Sequence, residues 1–341
     1  MFYQSTSYLV EKTQNSLLQF PSLYGSSRCA SSFVLILLDT MYSRLSFFVL
    51  VLAVVWALPN TSLAQPDIYV DADATAGGCG SASSISELDG SSWDCAYPAL
   101  QDAFDEVNNS SFSTSFEIWV AEGTYYPDVD NVDNNGDAST EHSADSRSES
   151  FTLIRDDVAF YGGFDGTDGS GGGTQESNRS DRDPEAYPVT LSGDVDGDNS
   201  SAGNAYHVVY LDGRTGTGTI LTNTTVIDGL TVTGGNANGS SPNNRGGGLY
   251  CDGSDDGTGG ADECSPVLQR LTFENNRTGN TGFGGAIFVD AEDGTASPTI
   301  RASSFLQNTS QDGGAIFNNG DPGTANGEIV NVTFFENGAG N

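Results

Sequence analysis

The sequence predicts an all-β protein: a single parallel β-helix, or β-solenoid, with one capping α-helix near its N-terminal end. Three observations predict it. Phe-x-x-Asn recurs at Phe273–Asn276, Phe305–Asn308 and Phe334–Asn337, 32 and then 29 residues apart. Gly-Gly-Ala-Ile-Phe recurs at Gly284–Phe288 and Gly313–Phe317, with a looser relative at Gly247-Gly248-Leu249-Tyr250. Beyond residue 115 the apolar runs are short, β-branched or aromatic, and bounded by Gly, Asn, Asp and Ser. Self-similarity at this period means one structural unit stacked on itself. Propeller blades would need a periodic Trp-Asp or kelch-like signature, which is lacking. The 43 glycines fall at turns without a three-residue period, which excludes collagen.

Residues 1–40 fit no targeting pattern and are expected to be an unstructured stretch ahead of a true start at Met41. Met41-Tyr42-Ser43-Arg44 is short and basic, Leu45 to Leu58 is uncharged and apolar, and Pro59–Ala64 ends on small residues. Residues 41–64 therefore read as a secretory signal peptide cleaved after Ala64. A membrane anchor is the competing reading, but fourteen helical residues rise only ~21 Å against a ~30 Å hydrocarbon core. No membrane span is expected in the mature segment.

Residues 65–341 are expected to form the β-helix domain. Ile68-Tyr69-Val70 is its first strand. Tyr97, Leu100, Ala103, Phe104 and Val107 follow at helical spacing, with Pro98 near the start, so a cap helix is expected over about 96–107. A solenoid end needs such a cover. Strand runs follow at Phe116–Val120, Phe151–Ile154, Val158–Tyr161, Val189–Leu191, Tyr206–Leu211 and Leu230–Val232. Regular coils are expected over about 226–341. There Leu249, Ile287 and Ile316 would stack in one column, Tyr250, Phe288 and Phe317 in a second, and Phe273, Phe305 and Phe334 in a third. Asn276, Asn308 and Asn337 would sit at a corner, where Asn tolerates left-handed backbone and its amide can bond the next coil. The sequence stops at Asn341, inside a repeat, so a fragment of a longer product is expected.

The charge is extreme, at −34 overall. Residues 65–341 hold 44 acids against 9 bases, and the only lysine of the chain, Lys12, lies in the leader. Such a field repels nucleic acid and anionic lipid. Either the acids bind cations such as Ca²⁺, or they keep the protein soluble in concentrated salt, where screening suppresses their repulsion. Scattered acids and arginine without lysine favour salt adaptation for most of them. Cys79, Cys95, Cys251 and Cys264 remain after the leader and allow three connectivities. The local pairs Cys79–Cys95 and Cys251–Cys264 are favoured, because each closes a short Gly/Ser/Asp-rich loop. Zinc is disfavoured by the spacing and by the lack of a nearby His. Disulfides fit an oxidising, extracellular compartment.

The Phe-x-x-Asn and Gly-Gly-Ala-Ile units resemble the repeats of chlamydial-type polymorphic outer membrane proteins. The longer stretch is similar to a broad family of secreted bacterial right-handed parallel β-helix proteins with a pectate-lyase-like fold. The residues that carry this are Ile68–Ala72, Gly90–Trp93, Ala99–Ala103, Ile118–Tyr125, Tyr161–Phe164, Leu191–Asp194, Tyr206–Val209 and Asp228–Val232. The resemblance covers residues 66–341 and implies a right-handed β-helix on a cell surface, in an outer membrane or secreted. It implies little about activity, since most members have no assigned reaction.

Two acidic loops could hold Ca²⁺, which takes several oxygen ligands. Asp194, Asp196 and Asp198 alternate in a loop with Gly197, although the glycine stands fourth and Ala205 twelfth, unlike an EF-hand. Asp128, Asp130, Asp133 and Asp137 form a second, irregular set. Repeats describe a scaffold, so the expected function is non-catalytic: adhesion, or binding of an extracellular polysaccharide or surface protein. The rival is a polysaccharide lyase or glycoside hydrolase. Asp252, Asp255 and Asp256 are the nearest to a carboxylate pair, but read as decoration of a Gly-rich loop. Arg214, Arg245, Arg270, Arg277 and Arg301 read as ordinary surface residues, and His207, in a strand run, as structural. No catalytic residue is assigned.

Overall fold

A computed structural model describes residues 67–80, 82–127, 146–166 and 175–340. The leader, the signal-peptide segment and the loop with Asp128, Asp130, Asp133 and Asp137 lie outside the described residues.

Every ladder between named strands is parallel, and the strands fall into sheets of seven, six, five and four. One coil shows how the chain visits them. Val226–Asp228 joins the seven-stranded sheet and Thr231–Thr233 the six-stranded one. Asn236–Ala237 joins the four-stranded sheet and Leu249–Asp252 the five-stranded one. Val267–Gln269 then returns to the seven-stranded sheet, beside Val226–Asp228. This cyclic order is the arrangement expected of a parallel β-solenoid.

Alternation explains the core. In the seven-stranded sheet Ile68, Ile118, Phe160, Ile227, Leu268 and Ile300 lie in register and point inward. The columns expected from the repeats form: Leu249, Ile287 and Ile316 pair in register, as do Tyr250, Phe288 and Phe317. Phe273 stacks on Phe305 at 5.1 Å between ring centres, and Phe305 on Phe334 at 5.1 Å. Each offset-stacked pair adds roughly 1 kcal/mol beyond its burial.

Each glycine of the Gly-Gly pair has its own task. Gly284 and Gly313 hold φ of +66°, a left-handed conformation that other residues adopt only at a cost. A Cβ on the second, Gly285, would collide with the Gly314 carbonyl of the next coil.

The corner asparagines differ from expectation in one respect. The left-handed residue is the one before each Asn: Asn275, Gln307 and Glu336, with φ of 56°, 55° and 54°. The Asn side chains are thereby turned inward to bond the neighbouring coil.

The helix runs Leu100–Asn109, later than the periodicity suggests. Trp93–Cys95 forms a separate 3-10 turn, and Tyr97 makes an isolated bridge to Val70 ahead of Pro98. Phe104 stacks on Phe160 at 4.6 Å and packs on Phe151 at 5.6 Å, fixing the helix to the first coils. Disulfides join Cys79 to Cys95 and Cys251 to Cys264. Among the described residues no helix is long and apolar enough to cross a membrane.

Candidate functional site

The outward row of the seven-stranded sheet reads Tyr69, Trp119, Tyr161, Asp228, Gln269 and Arg301 across successive strands. It changes from aromatic to polar at Asp228. The segment around residues 175–188 reaches over this row. Glu176 ties it down, accepting Asp165 N–H at 2.7 Å on its carboxylate and the Trp93 indole N–H at 3.0 Å on its carbonyl. The segment brings Arg179 and Arg182 onto the sheet. Both guanidinium groups lie over the Tyr161 ring, at 4.5 and 4.9 Å from its centre.

Between this segment and the sheet lies a groove of about 780 Å³ lined by Glu117, Trp119, Arg179, Arg182 and Arg270, among others. Asp228 is fully buried at its edge. It accepts from Arg182 Nη2 at 2.7 Å and from Arg270 Nε at 2.8 Å, with further bonds from Arg270 Nη2 and Gln269 Nε2. Arg270 reaches it because residue 270 sits at a left-handed corner, φ 51°. The carboxylate of Glu117 accepts from Trp119 Nε1 at 2.8 Å and from Arg179 Nη1 at 3.1 Å. Arg301 is joined to the row through Gln269, Nε to Oε1 at 2.7 Å. Four of the nine arginines beyond the leader therefore gather on one face of a strongly acidic chain.

The five-stranded sheet carries a different device. Asp212, Asp252 and Asp290 stack in register, and all are buried. Tyr210 donates to Asp252 and Tyr250 to Asp290, each at 2.9 Å. Arg214 pairs with Asp212 at 2.8 Å and with Asp252 at 3.3 Å, and Arg245 with Asp290 at 2.5 Å. Desolvation pushes the Asp252 carboxyl above its ordinary value, ahead of the opposing pull of Ser254 and Arg214. Asp252 is therefore a buried strand residue and not loop decoration. Arg214, Arg245 and Arg270 are ion-pair partners of buried aspartates and not ordinary surface residues. Asp256 and the buried Asp262 close the neighbouring loop, with Asp262 accepting from Thr215 N–H at 2.7 Å and Asp256 N–H at 2.9 Å. His207 donates from Nδ1 to the Gly246 carbonyl at 3.0 Å, and burial pushes its pKa down.

The Asp194 loop brings its three expected ligands together. One carboxylate oxygen from each of Asp194, Asp196 and Asp198 lies within 4.8 Å of the others. Gly197 and Asn199 take left-handed backbone at φ 66° and 57°, which curls the loop. Asp194 Oδ2 accepts from Asn199 N–H at 3.1 Å, and Asp198 accepts from Ser200. Asp194 Oδ1 and Asp196 Oδ1 are enclosed without a donor. Desolvation, then the neighbouring carboxylates, push the Asp194 pKa up. Converging acceptors without donors are chemically suited to a hard cation.

No family model, no curated protein and no solved structure matches this chain. The resemblance to β-helix repeat proteins is thus carried by the quoted residues, and the chemistry by the geometry alone. Sequence reasoning missed the Arg179, Arg182, Arg270 and Asp228 constellation. A partial signal was in phase: Gln269, the residue before Arg270, occupies the place of Asp228 in the next coil.

Proposed function

We propose that this chain is an extracellular, non-catalytic binding scaffold that presents its seven-stranded face to a polysaccharide or a surface protein, as an adhesin does. The observation that supports it most is the groove, where every carboxylate oxygen is already engaged. A glycosidase needs two carboxyl groups about 5–10 Å apart, one of them free to protonate or attack. Asp228 lies buried beneath two arginines, and Asp212, Asp252 and Asp290 are each committed to Tyr or Arg partners.

In this reading the solenoid is a single right-handed β-helix, following the general hand of parallel crossovers. Export proceeds through residues 41–64, and the two disulfides support an oxidising destination. Asp194, Asp196 and Asp198 bind Ca²⁺, which would satisfy the two donorless oxygens. The remaining acids adapt the surface to concentrated salt and turn nucleic acid away.

The test is a glycan-array screen in parallel with a lyase and hydrolase panel, in high salt, with and without Ca²⁺. Binding without turnover is expected. Turnover of any polymer would replace the scaffold with the lyase or hydrolase reading.

A further inference from the structure

We infer that the groove over the seven-stranded sheet recognises an anionic substituent, a sulfate ester or a carboxylate, on a polysaccharide chain, with Arg179 and Arg270 as the contacting residues. This rests on the scaffold reading above and names its ligand chemistry.

The donor inventory carries the argument. Arg179 and Arg270 side chains are 49% and 52% exposed, while Arg182 is 8% exposed and spent on Asp228 and the Gly162 carbonyl. Arg179 uses only Nη1 within the protein, for Glu117 and the Tyr161 hydroxyl at 2.9 Å. Its Nε and Nη2 have no protein acceptor among the described residues. Arg270 commits Nε and Nη2 to Asp228 and leaves Nη1 without a protein acceptor among the described residues. Three guanidinium groups face two carboxylates, so the groove is cationic. Both carboxylates already accept bonds on each oxygen, so neither competes for an incoming donor.

A guanidinium fork is pre-shaped for an oxyanion and is always charged. Here each fork is held from behind, Arg270 by Asp228 and Arg179 by Glu117 and the Tyr161 ring, so little side-chain freedom is lost on binding. The aromatic residues favour the same ligand. Trp119 is only 5% exposed and Tyr161 8%, so the floor offers no open ring for a neutral sugar to stack on. Recognition in this groove is polar. The chain's negative field opposes an anion at long range, but it is screened beyond about 8 Å at physiological salt and about 3 Å at 1 M. Contacts inside the groove are shorter than that.

The test is calorimetric titration of the full chain in about 0.5 M salt, where screening leaves mainly short-range contacts. The probes are dextran sulfate, polygalacturonate and unsubstituted dextran. Binding of either charged polymer, with dextran weaker, is the expected result, and the two charged arms distinguish sulfate from carboxylate. Arg179→Gln should weaken binding about tenfold, as expected for losing a charged hydrogen bond. Arg277→Gln removes the same charge from an exposed position in the four-stranded sheet and should leave binding unchanged. Arg179 is half exposed, so R179Q should keep the fold, which circular dichroism checks. Equal loss in R277Q, or none in R179Q, overturns the inference. Dextran binding as tightly as the charged polymers overturns it too, while leaving the scaffold reading in place. No binding to any of the three polymers overturns the inference and confines the scaffold reading to a surface-protein partner.

Discussion

Asn308 Oδ1 accepts two hydrogen bonds from Asn276, one from its backbone N–H and one from its Nδ2, each at 3.1 Å. The amide of Asn308 donates in turn to the Phe273 carbonyl at 2.9 Å. The motif repeats one coil on, where Asn337 Oδ1 accepts from Asn308 N–H at 3.0 Å and from Nδ2 at 2.9 Å. A column of asparagines thus satisfies backbone groups at a corner where sheet bonding is interrupted. Leaving such groups buried and unpaired costs about 1–3 kcal/mol each.

Asn308→Ala should therefore destabilise the domain by about 3 kcal/mol, since it strands buried partners in both neighbouring coils. Asn337→Ala, in the more exposed last described coil, should cost roughly a third of that by the same reasoning. Urea denaturation of both variants gives the comparison. Equal costs would contradict a ladder whose worth depends on burial.

Arg155 is fully buried with no ion-pair partner among the described residues. Its Nη1 donates to the Val107 carbonyl at 3.0 Å and its Nη2 to the Thr114 carbonyl, while the guanidinium lies 4.9 Å from the centre of Phe116. Val107 lies in the last turn of the helix, whose carbonyl end attracts cations, and its carbonyl also accepts from Ser110 N–H at 3.1 Å. Arg155→Met keeps most of the volume and loses both bonds. It should cost about 3 kcal/mol, with amide exchange accelerating first in Leu100–Asn109. Uniform acceleration across all coils would show that Arg155 is no latch for the helix.

Asp156 bears on acid stability. Desolvation pushes its carboxyl up, but hydrogen bonds from Thr222 and Thr225 together outweigh this and hold it below 3.8. Thr222 N–H donates at 2.9 Å and the Thr225 hydroxyl at 2.7 Å. A depressed folded-state pKa gives stability that is present above 3.8 and is lost as pH falls through the folded value. Wild type should exceed Asp156→Asn in stability at neutral pH. The gap should close below pH 3.8. A gap independent of pH would mean that the carboxylate charge plays no part.

For the Asp194 loop, saturating Ca²⁺ should raise the thermal midpoint of wild type, because a ligand bound only by the native state stabilises it by about 2.7 kcal/mol at a hundredfold excess over Kd. Asp196→Asn should abolish that rise and change the Ca²⁺-free midpoint little. A shift that survives in D196N would place the cation elsewhere.

The repeating half of the molecule was legible because stacking forces like residues into register: the Phe columns and the Gly-Gly pairs fall where the period puts them. The corner geometry was misread by one residue. Different residue types fill the left-handed place, here Asn275, Gln307 and Glu336, so only the recurring amide is visible in sequence. The groove was hidden for a different reason. Arg179 and Arg182 come from an unrepeated segment, and their meetings with Glu117 and Asp228 span 62 and 46 residues, with no local pattern to announce them. The Asp252 error has the same source. A strand end followed by Gly-Ser-Asp looks like a loop until its register with Asp212 and Asp290 is known.

The most direct test of the scaffold reading is the length of a polymer after it has been bound. A charged polysaccharide retained by the full chain in high salt with Ca²⁺ is recovered after prolonged incubation and sized by chromatography. The account predicts bound polymer of unchanged length and no new reducing or unsaturated ends. Chains shortened by wild type but left at full length by Asp228→Asn would contradict it and make this face an active site.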